Sequence, residues 1–207
     1  MRKPSQQTRE QIVASARRLF NRHGFDAVSI DAIMAGAGLT RGAFYTYFAS
    51  KSDLYADVLT CFFNTPNAPN NWGGVHLDLD APDARDQIIR AYLSRQHADA
   101  VETACPMVAL PSDVARGGSS AKQAFERAFT AMINCLEGRG RKGQRADRAG
   151  ALAVAALCIG GMVTARAIDD RALADELRDA CAATALGLER RTHTKIRKSR
   201  VKRGRRR

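Results

Sequence analysis

No two of the five cysteines in this chain of 207 residues form a CxxC pair; they are scattered at 61, 105, 135, 158 and 181, and odd in number. That pattern excludes a disulfide framework, and no Cys/His cluster has the spacing of zinc ligands. No stretch alternates apolar and polar residues as a half-buried strand does, so the fold class expected is all-α. A Walker motif, a GxSxG elbow and a metal-ligand pair are also missing, and neither an enzyme nor a cofactor is expected. GRGRKG at 138–143 imitates a dinucleotide fingerprint, but FERAFTAMINCLE before it has a helical period, so the string reads as a loop. The first residues, MRKPSQQTREQ, lack the apolar core of a secretion signal. Residues 149–165, AGALAVAALCIGGMVTA, make a long uncharged run without proline. It stands at the short limit for a bilayer span and is rich in alanine and glycine, so it reads as a buried or dimer-forming helix. A cytoplasmic, nucleoid-associated protein with no membrane partner is expected.

What is present in excess is positive charge, and its placement matters more than its sum. The net charge is +12, yet residues 190–207 alone carry eleven Lys or Arg and no acid. Residues 1–60 sum to +3 and residues 61–189 to −2. Basic ends around a faintly acidic middle suit a DNA-reading head, a body with another task and a solvated tail. The expected division is 1–50 for the head, 51–189 for the body and 190–207 for a basic tail too polar to order itself.

Helical periods run through most of the chain. Thr8 is placed to open a first helix with Glu10 in its first turn; Ile12, Val13, Ala16, Leu19 and Phe20 line one face, and Gly24 is placed to end it. A helix near Lys51 continues through Leu54, Val58, Leu59, Phe62 and Phe63. Residues 64–82 hold three of the six prolines and read as a loop. Helices are then expected at about 83–99, 106–116, 119–137, 145–168 and 170–189.

The densest information lies in GFDAVSIDAIMAGAGLTRGAFYTYFASK, residues 24–51. Ile30, Ile33, Met34 and Ala37 form one apolar face behind a Ser29 N-cap. Gly38 breaks the chain, as the turn of a helix-turn-helix does. Thr40 can cap the next helix, where Phe44 and Phe48 face inward and Arg41 and Tyr45 share the opposite side. Such a helix suits a DNA major groove. Arg41 can donate two bonds to a guanine edge, the small Gly42 and Ala43 allow close approach, and Tyr45 and Tyr47 each add a flat face and a hydroxyl. Lys51, near a helix start, offers charge to a phosphate.

Over residues 8–59 the chain closely resembles the tetracycline-repressor (TetR) family of bacterial regulators, matching its head almost position for position. The resemblance implies an all-α homodimer with a three-helix DNA-binding head and a ligand-binding helical body. It implies that Arg41, Gly42, Ala43 and Tyr45 face bases and that Ser29, Thr40, Thr46, Tyr47 and Lys51 hold phosphates. Residues 92–116 resemble, more loosely, a segment in one branch of the family where a Cys precedes a short helix. Here Ala104 stands where Gly often precedes that Cys, and Pro111 interrupts a usually continuous helix.

Cys105, just before Pro106 at a helix start, is either a sensor of electrophiles or oxidants or a small core residue. Phe62, Cys105, Met107, Phe125 and Phe129 are candidates for an effector site, with core packing as the alternative, and Phe63, Trp72, His97 and Met132 belong to the same set. Ala156/Gly160 and Gly161/Ala165 are small-residue pairs suited to close helix contact, and Leu173, Leu177, Cys181, Thr184 and Leu188 form a seam on the last helix. The expectation is a homodimeric transcriptional regulator, most simply a repressor, that binds a double-stranded near-palindromic operator and is released by a small apolar or electrophilic effector. The alternatives are a general nucleic-acid binder driven by the tail and an enzyme or carrier using a helical cavity.

Overall fold

A computed structural model describes residues 5–64, 78, 81–137 and 148–204, with side chains placed up to 60 in the first stretch and up to 188 in the last. Every regular element among the described residues is a helix, with no strand among them. The 138–143 string, Phe62, Phe63 and Trp72 lie outside the described side chains. The chain divides into two compact units: residues 1–76 with 96–132, and 77–95 with 133–207.

The first unit opens with α1, Gln6–Ala27. It begins ahead of Thr8, because the Ser5 hydroxyl accepts the Thr8 N–H and serves as the cap; no acid falls in the first turn. Gly24 takes a φ of 77° and breaks the helix in a kink, as its placement indicated, and helical residues resume beyond it to Ala27. α2 (Ile30–Gly36) and a 3-10 helix (Arg41–Thr46) follow, then α3 (Lys51–Asn64). α1 and α2 pack closely: Ser15 donates to the Ile33 carbonyl at 2.8 Å, and a Cβ on Gly36 would come within 2.5 Å of the Ser15 hydroxyl oxygen. The core of this unit joins Ile12, Ala16, Phe20, Ile33, Met34, Phe44, Leu54 and Leu59 to Leu110, Val114 and Ala124. At its centre Phe20, Phe25 and Tyr55 meet with ring centroids 4.7–5.6 Å apart.

Between residues 83 and 116 the helices are shorter than their periods indicated. The expected helix 83–99 is split into α4 (Ala84–Tyr92) and α5 (Arg95–Asp99), the expected helix 106–116 into α6 (Pro106–Ala109) and α7 (Pro111–Arg116), and a 3-10 turn (Val101–Thr103) lies between them. Pro111 has no N–H to continue α6, so it starts a new helix. α8 spans Ser119–Glu137, as its period indicates.

In the second unit α4 (Ala84–Tyr92), α9 (Arg148–Ala167) and α10 (Arg171–Gly204) pack together. Arg178 is buried; it donates to the Leu93 carbonyl at 2.9 Å and pairs with Asp175. Gly161 permits the approach of α10, since a Cβ there would sit 2.8 Å from the Cys181 Sγ. The Gly161/Ala165 pair and Cys181 are therefore spent on packing inside the chain, whereas Ala156 and Gly160 stay exposed. α10 runs on to Gly204, past the point where order was expected to end. Lys and Arg are good helix formers, and no proline interrupts them. α9 is long and apolar enough to cross a membrane by length and composition, a test that core helices of soluble proteins also pass.

Burial pushes the Cys158 thiol up to about 12 from its ordinary 9.0, helped by Cys181 and opposed by Arg85. The folded state keeps a proton that the unfolded chain releases, so this contribution to stability is complete below the unfolded value and is lost as pH rises toward the folded one. Urea midpoints measured between about pH 8 and about pH 11 should fall more steeply for the wild type than for Cys158→Ala.

Candidate nucleic-acid interface

The 3-10 helix Arg41–Thr46 owes its orientation to two aromatics. Phe44 is wholly buried and Phe48 almost so, with ring centroids 5.8 Å apart. Burying each contributes roughly 1.5–3 kcal/mol. Once they face the core, Arg41, Gly42, Tyr45 and Thr46 must face outward, and all four are exposed. Tyr45 is 61% exposed, but its ring stands edge-on to Phe44 at 5.3 Å, which limits its motion. Nothing lies within 4 Å of a Cβ built on Gly42.

The approach to this face is set by the turn. Ser29 accepts the Ala32 N–H at 3.1 Å and caps α2. Gly38, at φ 70°, turns the chain, and Leu39 N–H returns to the Met34 carbonyl. Thr40 occupies the cap position of the 3-10 helix, but its hydroxyl makes no capping bond. Ser29, Thr40 and Thr46 are exposed, while Ala43 and Tyr47 are half-buried and lean on the core. Lys51 is also half-buried: its Nζ sits 4.3 Å over the Phe25 ring, and burial lowers its pKa despite the opposing field of Asp26.

The structure adds contacts that the periodicity did not reveal. Arg41 is paired with Asp31 at 2.5 Å. Asn21, buried on α1, donates to the carbonyls of Val101, Glu102 and Ala104 at 3.0–3.4 Å. Asp113 accepts the Phe25 N–H at 2.8 Å, and Arg22 meets Glu102 at 2.6 Å. A polar Asn at the edge of the apolar stripe of α1 was the one available sign of this arrangement.

Of the effector candidates, Cys105 and Met107 are fully buried, and α6, which carries Met107, packs on α1 and α3. The Cys105 N–H donates to Nε2 of the buried His97 at 3.3 Å. Phe125 and Phe129 stack at 6.2 Å and are half-buried.

A capped short helix, a glycine turn and an outward polar 3-10 helix define a helix-turn-helix protein of all-α build. Residues 12–58 match the family model described as bacterial regulatory proteins, tetR family. The HTH-type transcriptional regulator AcrR of Shigella flexneri is 43% identical over 54 residues, covering 26% of this chain and 25% of AcrR. The HTH-type transcriptional repressor BdcR of Escherichia coli K12 is 35% identical over 60 residues, covering 29% of this chain and 30% of BdcR. The alignments thus span less than a third of these curated relatives. A solved TetR-family transcriptional regulator from Agrobacterium tumefaciens shares the fold over 86% of this chain and 97% of its own, with a TM-score of 0.64 and 23% identity. The match to the tetR family thus lies in residues 12–58, and over the rest of the chain the likeness is one of fold.

Phe44→Ala should cost about 3–5 kcal/mol of stability. Tyr45→Ala, at an exposed site, should stay within about 0.5 kcal/mol. Denaturant unfolding of the two variants checks the pair.

Proposed function

We propose that the protein is a homodimeric transcriptional repressor that binds a near-palindromic DNA operator in the cytoplasm and leaves it when a small apolar or electrophilic effector binds. The observation that carries the reading is the outward face of Arg41, Gly42, Tyr45 and Thr46, held by the buried Phe44 and Phe48. In this reading Arg41, Gly42, Ala43 and Tyr45 meet bases, and Ser29, Thr40, Thr46, Tyr47 and Lys51 meet phosphates. The half-buried Lys51 offers its charge from a fixed place, which suits a phosphate contact more than a base contact.

Repression is supported by the name of one relative, BdcR. A dimer is supported by the exposed Leu152, Ala156, Gly160 and Val163, which recur along one side of α9, and by the exposed Leu173 on α10. Two copies of the head would address two half-sites about one helical turn of DNA apart, or a multiple of it. Residues 1–50 act as the reading head and 51–189 as the effector-binding and dimerising body, while 190–207 add affinity that is independent of sequence. The effector candidates are Cys105, Met107, Phe125 and Phe129, together with Phe62; the burial of Cys105 and Met107 favours an apolar ligand.

The test is selection of genomic DNA fragments by the full-length protein, with sequencing of what it retains. One near-palindromic site is expected; no preference from folded protein would refute the reading. Arg41→Ala should keep its fold and lose about 1–3 kcal/mol of binding to the selected site. For the effector, release by a quinone should disappear in Cys105→Ser; a normal response in that variant would remove the electrophile and leave the apolar ligand.

A further inference from the structure

An acidic side chain stands inside the face proposed to meet a polyanion. Asp31, in the first turn of α2, places Oδ2 2.5 Å from the guanidinium of Arg41, the first residue of the 3-10 helix. Both side chains remain more than half exposed, at 56% and 61%. An exposed pair of this kind contributes little to stability. The start of α2 already has its cap in Ser29. An acid in this first turn also gains a little from the helix dipole, but that gain does not require its pairing with Arg41 close to the phosphates.

The geometry does account for it. A long arginine is free to swing to a phosphate, a contact that carries no sequence information. A carboxylate that accepts from one edge of the guanidinium holds the fork in one orientation and leaves its remaining N–H donors for a guanine edge. The same negative charge weakens binding to any duplex in which Arg41 finds no matching base, because it opposes the phosphates without a compensating contact. Both effects raise discrimination, one by ordering the right contact and the other by penalising the wrong ones.

We propose that Asp31 is a specificity-determining positioning residue that orients Arg41 for base recognition and suppresses sequence-independent binding. The proposal rests on the reading of Arg41 as a base contact. The isosteric Asp31→Asn keeps the shape and removes the charge. Full-length wild type, Asp31→Asn, Arg41→Ala and the double variant would each select from a library of random-sequence duplexes, and the retained sequences would be compared. Affinity for a mixed-sequence duplex would be measured alongside, and thermal unfolding would confirm equal folding.

The expected result is that Arg41→Ala erases the preference at one base pair of each half-site and Asp31→Asn weakens it there by about tenfold. Asp31→Asn should also bind the mixed-sequence duplex more tightly, and it should change nothing further at that base pair in the Arg41→Ala background. Unaltered base preference in Asp31→Asn would overturn the role of Asp31 while leaving Arg41 in place. An equal loss of preference with Arg41 already removed would show that Asp31 does not act through it. If Arg41→Ala changes no position, the reading of Arg41 fails and takes the proposal with it. If the wild type selects nothing, both are refuted.

Discussion

The burial of Phe44 and Phe48 is the constraint on which the outward face depends. A 3-10 helix of six residues makes few backbone bonds of its own and has little intrinsic stability. Two aromatic rings sunk into the core shared by α1, α2 and α3 hold it in place and fix its rotation. The helix cannot turn about its axis without lifting both rings into water. Arg41, Gly42, Tyr45 and Thr46 are exposed for that reason, and the glycine turn at Gly38 brings the helix to its position without strain on a side chain.

The same unit carries a second, polar constraint. Asn21 gathers three carbonyls of the 101–104 turn, Asp113 takes the N–H freed where Gly24 interrupts α1, and the Tyr55 hydroxyl donates to the Leu110 carbonyl at 3.4 Å. A buried amide that loses its partners costs about 1–3 kcal/mol. Any displacement of residues 101–113 must therefore either carry α1 with it or break these bonds. Cys105 lies immediately after the turn that Asn21 holds, and its own N–H is tied to His97. A ligand or a chemical change near Cys105 would thus act on a segment bonded to the helix that supports the head.

Much of this was legible in the sequence, because periodicity reports burial. The apolar stripes of α1 and α2, the inward Phe44 and Phe48, and α8 from Ser119 to Glu137 follow from spacing alone. Where backbone chemistry competes with period, the sequence was harder to read. Ser5 displaced Thr8 as the first cap, Pro111 split one expected helix, and Leu93 and Ser94 separate α4 from α5. Side-chain pairs far apart in the chain left no trace in a period, so Asn21 with the 101–104 turn and Asp113 with Phe25 emerged only in the fold. The small residues of α9 carried a signal for close packing but not for its partner: Gly161 serves α10 of the same chain, while Gly160, one residue before, is open.

The central claim is that DNA lies against the face formed by Arg41 to Thr46. The most direct measurement places the photoreactive residue p-benzoylphenylalanine at Tyr45 and, as a control, at the exposed Lys122 of α8, then irradiates each full-length protein bound to genomic duplex fragments. The account predicts a covalent protein–DNA product from position 45 and none from position 122. DNA that binds without crosslinking at 45, or that crosslinks equally from both positions, would contradict it.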